Sequence, residues 1–481
     1  MEIKKRKTNG TKSDHVEKSA IKIVQDQIDD EESVLARTWE IFTSSLPLAL
    51  ASFGNTLKPT ITLLAVNSGY KDEATFAAIG LGTALQNVFV RWPIVGYNHS
   101  TTTYLSQAYG AKDYKLLGEM LNKVRIFYSL IVMPIMAVLC FSGHILHSWG
   151  QPYDLSFSTQ YYIRLSIWAF FGQLHYDINR RYLSAIGQRD IQVWIPYITL
   201  VLHFVWCYIF LNKMKLGVEG AAIVQLLQFF ANYIMSEILI RCTDAGKHVR
   251  WFTMENFKGW STMFWDGLPS AIYELVNRIS YEASTFCAGF ITVELVIVNS
   301  AYWNLFWVFF VMTAGVQHTS SWLIGNNVGA KNAKKVKQYI SANICFGVIY
   351  AIFVVVVLNL FSDQILSNYT SNESTLLLMK KILAAFWSTI SLMIIKDIMF
   401  GIIIGLGLQA KTTKLVIILN FFVWLIIIYT LTFVFGFYNA GPWISLSIVA
   451  GTLIFFVYRI VDNIDIDKVI IDAAEKRAKL Q

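Results

Sequence analysis

Apolar runs long enough to cross a bilayer recur twelve times along this chain, and that recurrence leaves few ways to fold it. They fall at roughly 41–66, 76–98, 124–146, 161–179, 191–211 and 217–240, then at 266–290, 294–323, 338–361, 380–405, 412–435 and 440–460. A helix needs about 20 residues to cross about 30 Å of hydrocarbon. Inside hydrocarbon each segment must satisfy its own backbone polar groups, which selects helices. With 55% hydrophobic and 15% charged residues, too few polar side chains remain to solvate so many apolar helices in water. The expected fold is an all-α membrane protein of twelve transmembrane helices.

The two halves repeat one another. Gly110-Ala111-Lys112 is answered by Gly329-Ala330-Lys331, each between an apolar run and a basic amphipathic stretch. Pro47 and Pro269, Gly187 and Gly407, and Gly217 and Gly436 follow in the same order, all at offsets of 219 to 222 residues. Six spans per half is an even number, so both halves enter the membrane the same way round. Such units are related by a pseudo-two-fold axis along the membrane normal, an arrangement of transporters with a central site between two lobes. The boundaries read as a cytosolic tail without fixed structure (1–37), an N-lobe (38–241), a cytosolic inter-lobe loop (242–265), a C-lobe (266–460) and a cytosolic C-terminal tail (461–481).

Positive charge sets the orientation. Lys112, Lys115, Arg180, Arg181, Arg189, Lys247, Arg250, Lys331, Lys334, Lys335, Lys411 and Lys414 sit in or beside alternate loops. The opposite loops at 143–160, 291–294, 361–376 and 436–442 carry no Lys or Arg, whereas Lys58, Lys71, Lys213 and Lys215 are exceptions. The formal +8 charge is therefore topological, and no nucleic-acid partner is expected. Residues 1–37 mix eight basic with eight acidic residues around no apolar core, unlike a signal peptide or anchor. Ile464, Val469, Ile470 and Ala473 give the final segment helical spacing, suited to the inner membrane surface. Asn368 and Asn372 head glycosylation sequons in a loop placed outside. Five scattered cysteines, Cys140, Cys207, Cys242, Cys287 and Cys345, form no CxxC and indicate neither a disulfide framework nor a zinc site.

No GxxxxGK[ST], HExxH or GxSxG motif is present, so the chain reads as no enzyme and needs no cofactor. A transporter without its own fuel chemistry couples to an ion gradient or runs downhill. Coupling needs ionisable groups inside the bilayer. Glu274, Arg278 and Glu282 lie four residues apart on one face of span seven. They form either a proton or cation site tuned by Arg278 or a self-neutralised structural stripe. On span ten Lys396 and Asp397 precede Gly401, Gly405 and Gly407, glycines that let helices approach closely. Adjacent residues point about 100° apart, so at most one of that pair faces a cavity directly. His175 and Asp177 could relay protons or be solvated near the inner loop, and His203 and His318 read as packing histidines. Pro59 after Lys58 and Pro93 after Arg91-Trp92 could bend their helices. Aromatic residues on span eight, Trp303 among them, suit organic cations through their ring faces.

These motifs, in this order, resemble the MATE (multidrug and toxic compound extrusion) family, especially its eukaryotic branch. SQAYGAKDYKLLGEML, with Gln107 and Gly110, is similar to the family's Gln-Ala-x-Gly-Ala signature after span two. GLPSAIYELVNRISYEAS resembles its span-seven pattern, SSWLIGNNVGAKNAKK with Gly329 its span-eight signature, and GIIIGLGLQAK with Gly405 and Gly407 its span-ten glycine motif. The resemblance covers roughly 38–460. It implies two six-helix lobes in a V, opening alternately, and efflux of small organic cations or other xenobiotics driven by H+ or Na+. A monomer in the bilayer of a plasma, vacuolar or other endomembrane is expected.

The departures bear on coupling. Of the family's two span-seven glutamates, the second matches Glu282 and the first falls on Asn277. The family's span-ten arginine is Ile404 here, its span-eight arginine aligns with Leu323 or Ile324, and an acidic span-ten position falls near Met393. Coupling is expected on Glu282 first, with Glu274 and Asp397 as further candidates, or is lost. Asn277, Tyr281, Arg278, Lys396 and Trp303 are the expected cavity lining. A lipid-headgroup flippase of related architecture or a non-transporting scaffold are the alternatives. A two-lobed cavity containing Glu282 favours transport, whereas Glu282 sealed against Arg278 favours the scaffold.

Overall fold

The computed structural model describes residues 10–70, 73–188, 190–250, 253–289, 291–369, 372–437 and 440–480. Within these, the side chains of 10–33, 67–70, 73, 74, 76, 255, 282, 286, 289, 293 and 296 lie outside the description. Among the described residues, the longer helical segments group into twelve rods. Span one is Gly10–Tyr70, span two 73–110, span three Tyr114–Leu139, span four 153–185, span five 190–213 and span six Gly217–Cys242. Span seven is Trp260–Gly289, span eight Val293–Gly329, span nine Ala333–Leu360, span ten Glu373–Leu406, span eleven 409–434 and span twelve Gly441–Asp462. Among the described residues, eight helices are long and apolar enough to cross a membrane. Spans one, two, four and seven are not among them. Those four carry Lys58, Arg91, His99, Asp177, Arg180, Arg181, Glu274 and Arg278, so their polarity belongs to the interior.

Several boundaries differ from expectation. Span three starts at Tyr114 because Asp113 caps it, its carboxylate accepting from the Leu116 N–H at 3.0 Å. It ends at Leu139, and part of the expected run forms a separate short helix, Ser142–Ser148. Span four is two helices, Tyr153–Ser166 and Ala169–Ala185. The tail expected to be unstructured is helical from Gly10 onward and continuous with span one, since no Gly or Pro interrupts residues 11–46. Residues Ile466–Leu480 form a helix whose apolar face (Ile466, Val469, Ile470, Ala473) is buried on the protein rather than laid on the membrane.

The sequence repeat is a repeat of backbone geometry. Lys112 and Lys331 both take left-handed conformations, at φ 59° and 58°, between one span and the next. Asp113 and Asn332 then cap the following helices. Gly187 and Gly407 match at φ 76° and 74°, and Gly217 and Gly436 are both positive as well. Gly110 packs on the Asn326 carbonyl and Gly329 on the Gln107 carbonyl. The inner ends of spans two and eight therefore cross reciprocally, with no room for a Cβ on either glycine.

These crossings close the Lys-rich side. Residues Trp92–Gly110 of span two pack on spans seven, eight and ten, whereas its outer part, Glu73–Gln86, packs mainly on N-lobe helices. A π-helical turn over Asn87–Arg91 separates the two parts just before Pro93, whose missing N–H and ring would otherwise disrupt a regular helix. Span one likewise packs on spans five, eight and nine. Hydrogen bonds tie the inner halves together: Thr103 Oγ1 donates to the Ile404 carbonyl (2.6 Å), Tyr104 to Asp266 (2.7 Å) and Asn326 to the Ala185 carbonyl (3.1 Å). The two lobes are thus joined at the ends of spans two and eight that carry the Lys-rich turns.

Candidate functional site

Span seven turns one stripe toward the lobe boundary: Glu274, Asn277, Arg278 and Tyr281, spaced i, i+3, i+4 and i+7 as a helical face requires. Glu274 is buried, and its Oε1 lies 3.0 Å from Nε2 of His99, itself buried on span two of the other lobe. The His99 ring meets Phe400 edge-on at 5.5 Å, and Phe400 stacks flat on Tyr273 at 3.7 Å, which fixes the imidazole in place. Arg278 is only loosely joined to Glu274, Nε to Oε2 being 3.8 Å. On this face Glu274 therefore belongs to a cross-lobe carboxylate–imidazole pair and keeps a loose ion pair to Arg278.

Span ten brings its charged pair beside this stripe, with Asp397 on the wall of a small cavity and Lys396, expected to line it as well, behind that wall. Lys396 Nζ lies 3.3 Å from Asp397 Oδ1 and 3.2 Å from the Tyr281 hydroxyl. Asp397 Oδ2 is buried and makes no hydrogen bond. Asp397 shares with Glu274, Asn277, Arg278, Tyr281 and Gln317 the wall of a cavity of about 90 Å³, space enough for a few waters. Asn420 of span eleven donates to Asn277 Oδ1 at 2.9 Å, while Asn277 donates to the Tyr273 carbonyl. One carboxylate hydrogen-bonded to a histidine and one with an open oxygen therefore line a single small polar cavity. Such a set can take up and release protons.

Other expected residues lie elsewhere. Trp303 is buried in the C-lobe aromatic core, 5.0 Å from Tyr281 and 5.2 Å from Trp443, its indole N–H donating to Ser284. It backs the cavity instead of lining it. Glu282 belongs to span seven, and its side chain lies outside the described residues. His175 and Asp177 do not pair: His175 Nδ1 bonds the Phe171 carbonyl, and Asp177 accepts from Gln173. Gln107, Gly110, Gly329, Gly405 and Gly407 build the inner crossing, where Gly405 admits Ile324 and Gly407 ends span ten in a left-handed cap. His318 touches Arg181 across the lobes. His99 and Gln317 went unread in the sequence, although the polar run Asn98–Thr103 inside an apolar span was a signal for the first.

The N-lobe also buries charged groups, Lys58 among them. Lys58 is wholly buried, and its Nζ donates to Thr199 Oγ1 (2.7 Å), Asn55 Oδ1 (3.0 Å) and Asn232 Oδ1 (3.4 Å). His203 bonds the Lys58 carbonyl and Thr62, the packing role its isolation implied.

The zebrafish (Danio rerio) multidrug and toxin extrusion protein 1 is 24% identical over 375 residues, covering 77% of this chain and 61% of the relative. The human (Homo sapiens) protein of the same name is 22% identical over 324 residues, covering 66% of this chain and 56% of the relative. The chain thus spans about three fifths of the length of these relatives. The crystal structure of the eukaryotic MATE transporter AtDTX14 superposes with a TM-score of 0.84 at 18% identity, over 93% of this chain and 100% of that one. That match places the twelve rods in the two-lobed, twelve-helix fold of a multi-pass membrane protein. The sequence pattern of the MatE family matches residues 47–209 and 269–422, the two repeated halves recognised above, and with most of both halves matched the chain belongs to the MatE family.

Proposed function

We propose that the chain is a proton-coupled secondary transporter that exports small xenobiotic compounds by alternating access between its lobes. The observation that carries this is the cavity shared by Glu274 and Asp397, with His99 reaching Glu274 from the opposite lobe. Opening the inner side must separate spans two and seven, which breaks the His99–Glu274 bond. Protonating Glu274 removes the charge that bond stabilises. Proton uptake and lobe movement therefore act on one contact, as coupling requires. Arg278 and Lys396 flank the cavity and oppose a bound metal cation, which favours H+ over Na+. The extrusion of multiple drugs or toxins named for the relatives supplies the substrate class at its coarsest.

The test is uptake into proteoliposomes of a panel of fluorescent and radiolabelled drugs under an imposed pH gradient or an imposed Na+ gradient. Uptake driven by the pH gradient, lost in Glu274→Gln and in Asp397→Asn, is the expected result. Uptake driven by Na+ alone overturns proton coupling. A correctly folded protein that moves nothing in the panel overturns the transporter reading in favour of a scaffold, and lipid scrambling in the same vesicles points to a flippase.

A further inference from the structure

The two halves also repeat a histidine. His99 and His318 each stand eleven residues before the glycine of a Gly-Ala-Lys turn, Gly110 and Gly329. Both reach across the lobe boundary, and both line the cavity of about 90 Å³. Their partners carry opposite charge. His99 Nε2 meets the carboxylate of Glu274, whereas His318 Nδ1 meets the guanidinium of Arg181 on span four, half-buried like itself. Four residues nearer the inner end of span four, the Ala185 carbonyl accepts from Asn326, so spans four and eight touch twice on the inner side.

The difference in partner reverses what a proton does. A guanidinium has only N–H donors, so Nδ1 of His318 accepts, and the ring is neutral with its proton on Nε2. A second proton turns Nδ1 into a donor, which ends the hydrogen bond and sets two cations against each other. The His99–Glu274 pair survives a proton on its imidazole, because a cation then meets a carboxylate.

The surroundings sharpen this. Arg180 acts on His318 together with Arg181, and His99 faces it from span two. Asp177 of span four is taken up by Gln173 and Arg180. Across the cavity stand Glu274, Arg278, Tyr273 and Tyr281 of span seven and Asp397 of span ten. The two carboxylates there are engaged by His99 and Lys396. Spans one and nine, which also pack on span eight, add no residue to that wall. Room for a few waters in the cavity supplies the path by which a proton reaches the ring.

We propose that His318 is a proton-responsive latch of the inner side: neutral, it holds spans four and eight together, and the proton it takes from the cavity parts them. This rests on the transporter reading and adds to it a residue other than the two carboxylates. Proton loading then favours inner opening through two separate contacts, the direction that proton-driven export needs.

The test reads conformation apart from transport. Full-length Glu274→Gln protein, in which the span-seven carboxylate no longer titrates, is placed in nanodiscs with spin labels at Lys115 and Lys334. Distances are recorded from about pH 8 to about pH 5, the range in which a histidine changes charge. Acidification is expected to raise the longer-distance share about fivefold or more. His318→Gln keeps an acceptor for Arg181 without titrating, and Arg181→Gln removes the opposing cation. Each should abolish the rise, and the second keeps the idea testable should the first fail to fold. A rise that persists in both variants, a fall on acidification, or no response in the parent overturns the latch. Drug uptake by wild-type proteoliposomes under a pH gradient separates the two readings. Uptake without a His318-dependent rise keeps the transporter and overturns the latch, whereas the rise without uptake of any compound keeps the latch and overturns the transporter.

Discussion

Single residues decide whether buried charge in this protein is structural or chemical, and Glu274 is the sharpest case. From sequence it read as half of a stripe with Arg278, because the i, i+4 spacing was visible and the partner on span two was not. The structure gives its hydrogen bond to His99, 175 residues away. Removing the carboxylate strands two buried cationic or donor groups, and breaking a buried pair costs about 3–5 kcal/mol. Glu274→Ala is therefore expected to lower the melting temperature of purified protein well below that of Glu274→Gln, which keeps an acceptor for His99. Equal melting of the two variants would mean that the pair contributes no stability. Lys58 shows the limit from the other side. Its oddity inside an apolar run was legible, and Asn55 lies one helical turn before it, but Thr199 and Asn232 come from spans five and six, and no spacing rule joins those to Lys58.

At the scale of elements, what the sequence conveyed best was what it says twice. The Gly-Ala-Lys turns, the Asx caps after them and the glycines of the later turns all recur with matching backbone angles. Helix ends were read less well, because hydropathy sees the apolar middle of a span and not its amphipathic first turns. That is why span three began later in the reading than it does in the fold. Which helices cross was not legible at all, since Gly110 and Gly329 carry no mark of their partners. The crossing itself predicts a phenotype. A side chain on Gly110 meets the backbone of Asn326, which cannot swing aside. Gly110→Val and Gly329→Val are each expected to part the inner ends of spans two and eight. An impermeant maleimide applied from the inner side should then label a cysteine placed at Ser100 faster than in the parent. Gly80→Val on the outer part of span two, where a Cβ meets nothing within 4 Å, is the control and should leave labelling unchanged.

For the whole molecule, the inner closure is held by more than the spans. The helix Ile466–Leu480 lies across both lobes: Arg477 donates to the Gln107 carbonyl at 2.8 Å, and Lys123 to the Leu480 carbonyl at 2.6 Å. On the other lobe, Lys476 faces Asp266 at 3.4 Å, the same carboxylate that Tyr104 reaches from the N-lobe. Beneath this helix lies a cavity of about 450 Å³, walled by the inner ends of spans two and ten. Its amphipathic spacing was readable, but spacing alone cannot tell a membrane surface from a protein groove, and the lysine and arginine contacts decide for the protein. Because the strap binds the closed inner face and loses contacts when the lobes part, it biases the equilibrium toward the outward-open arrangement by whatever those contacts are worth. One buried and one part-buried hydrogen bond with a partly exposed ion pair amount to about 1–3 kcal/mol together, a shift of about 5- to 150-fold in population. Spin labels on Lys115 and Lys334, exposed at the inner ends of the two lobes, give the measurement. Lys476→Ala with Arg477→Ala should add a longer-distance component to the label-to-label distribution and raise the rate of any transport limited by inner opening. An unchanged distribution would make the helix a passive cover, with the glycine crossing alone holding the inner face shut.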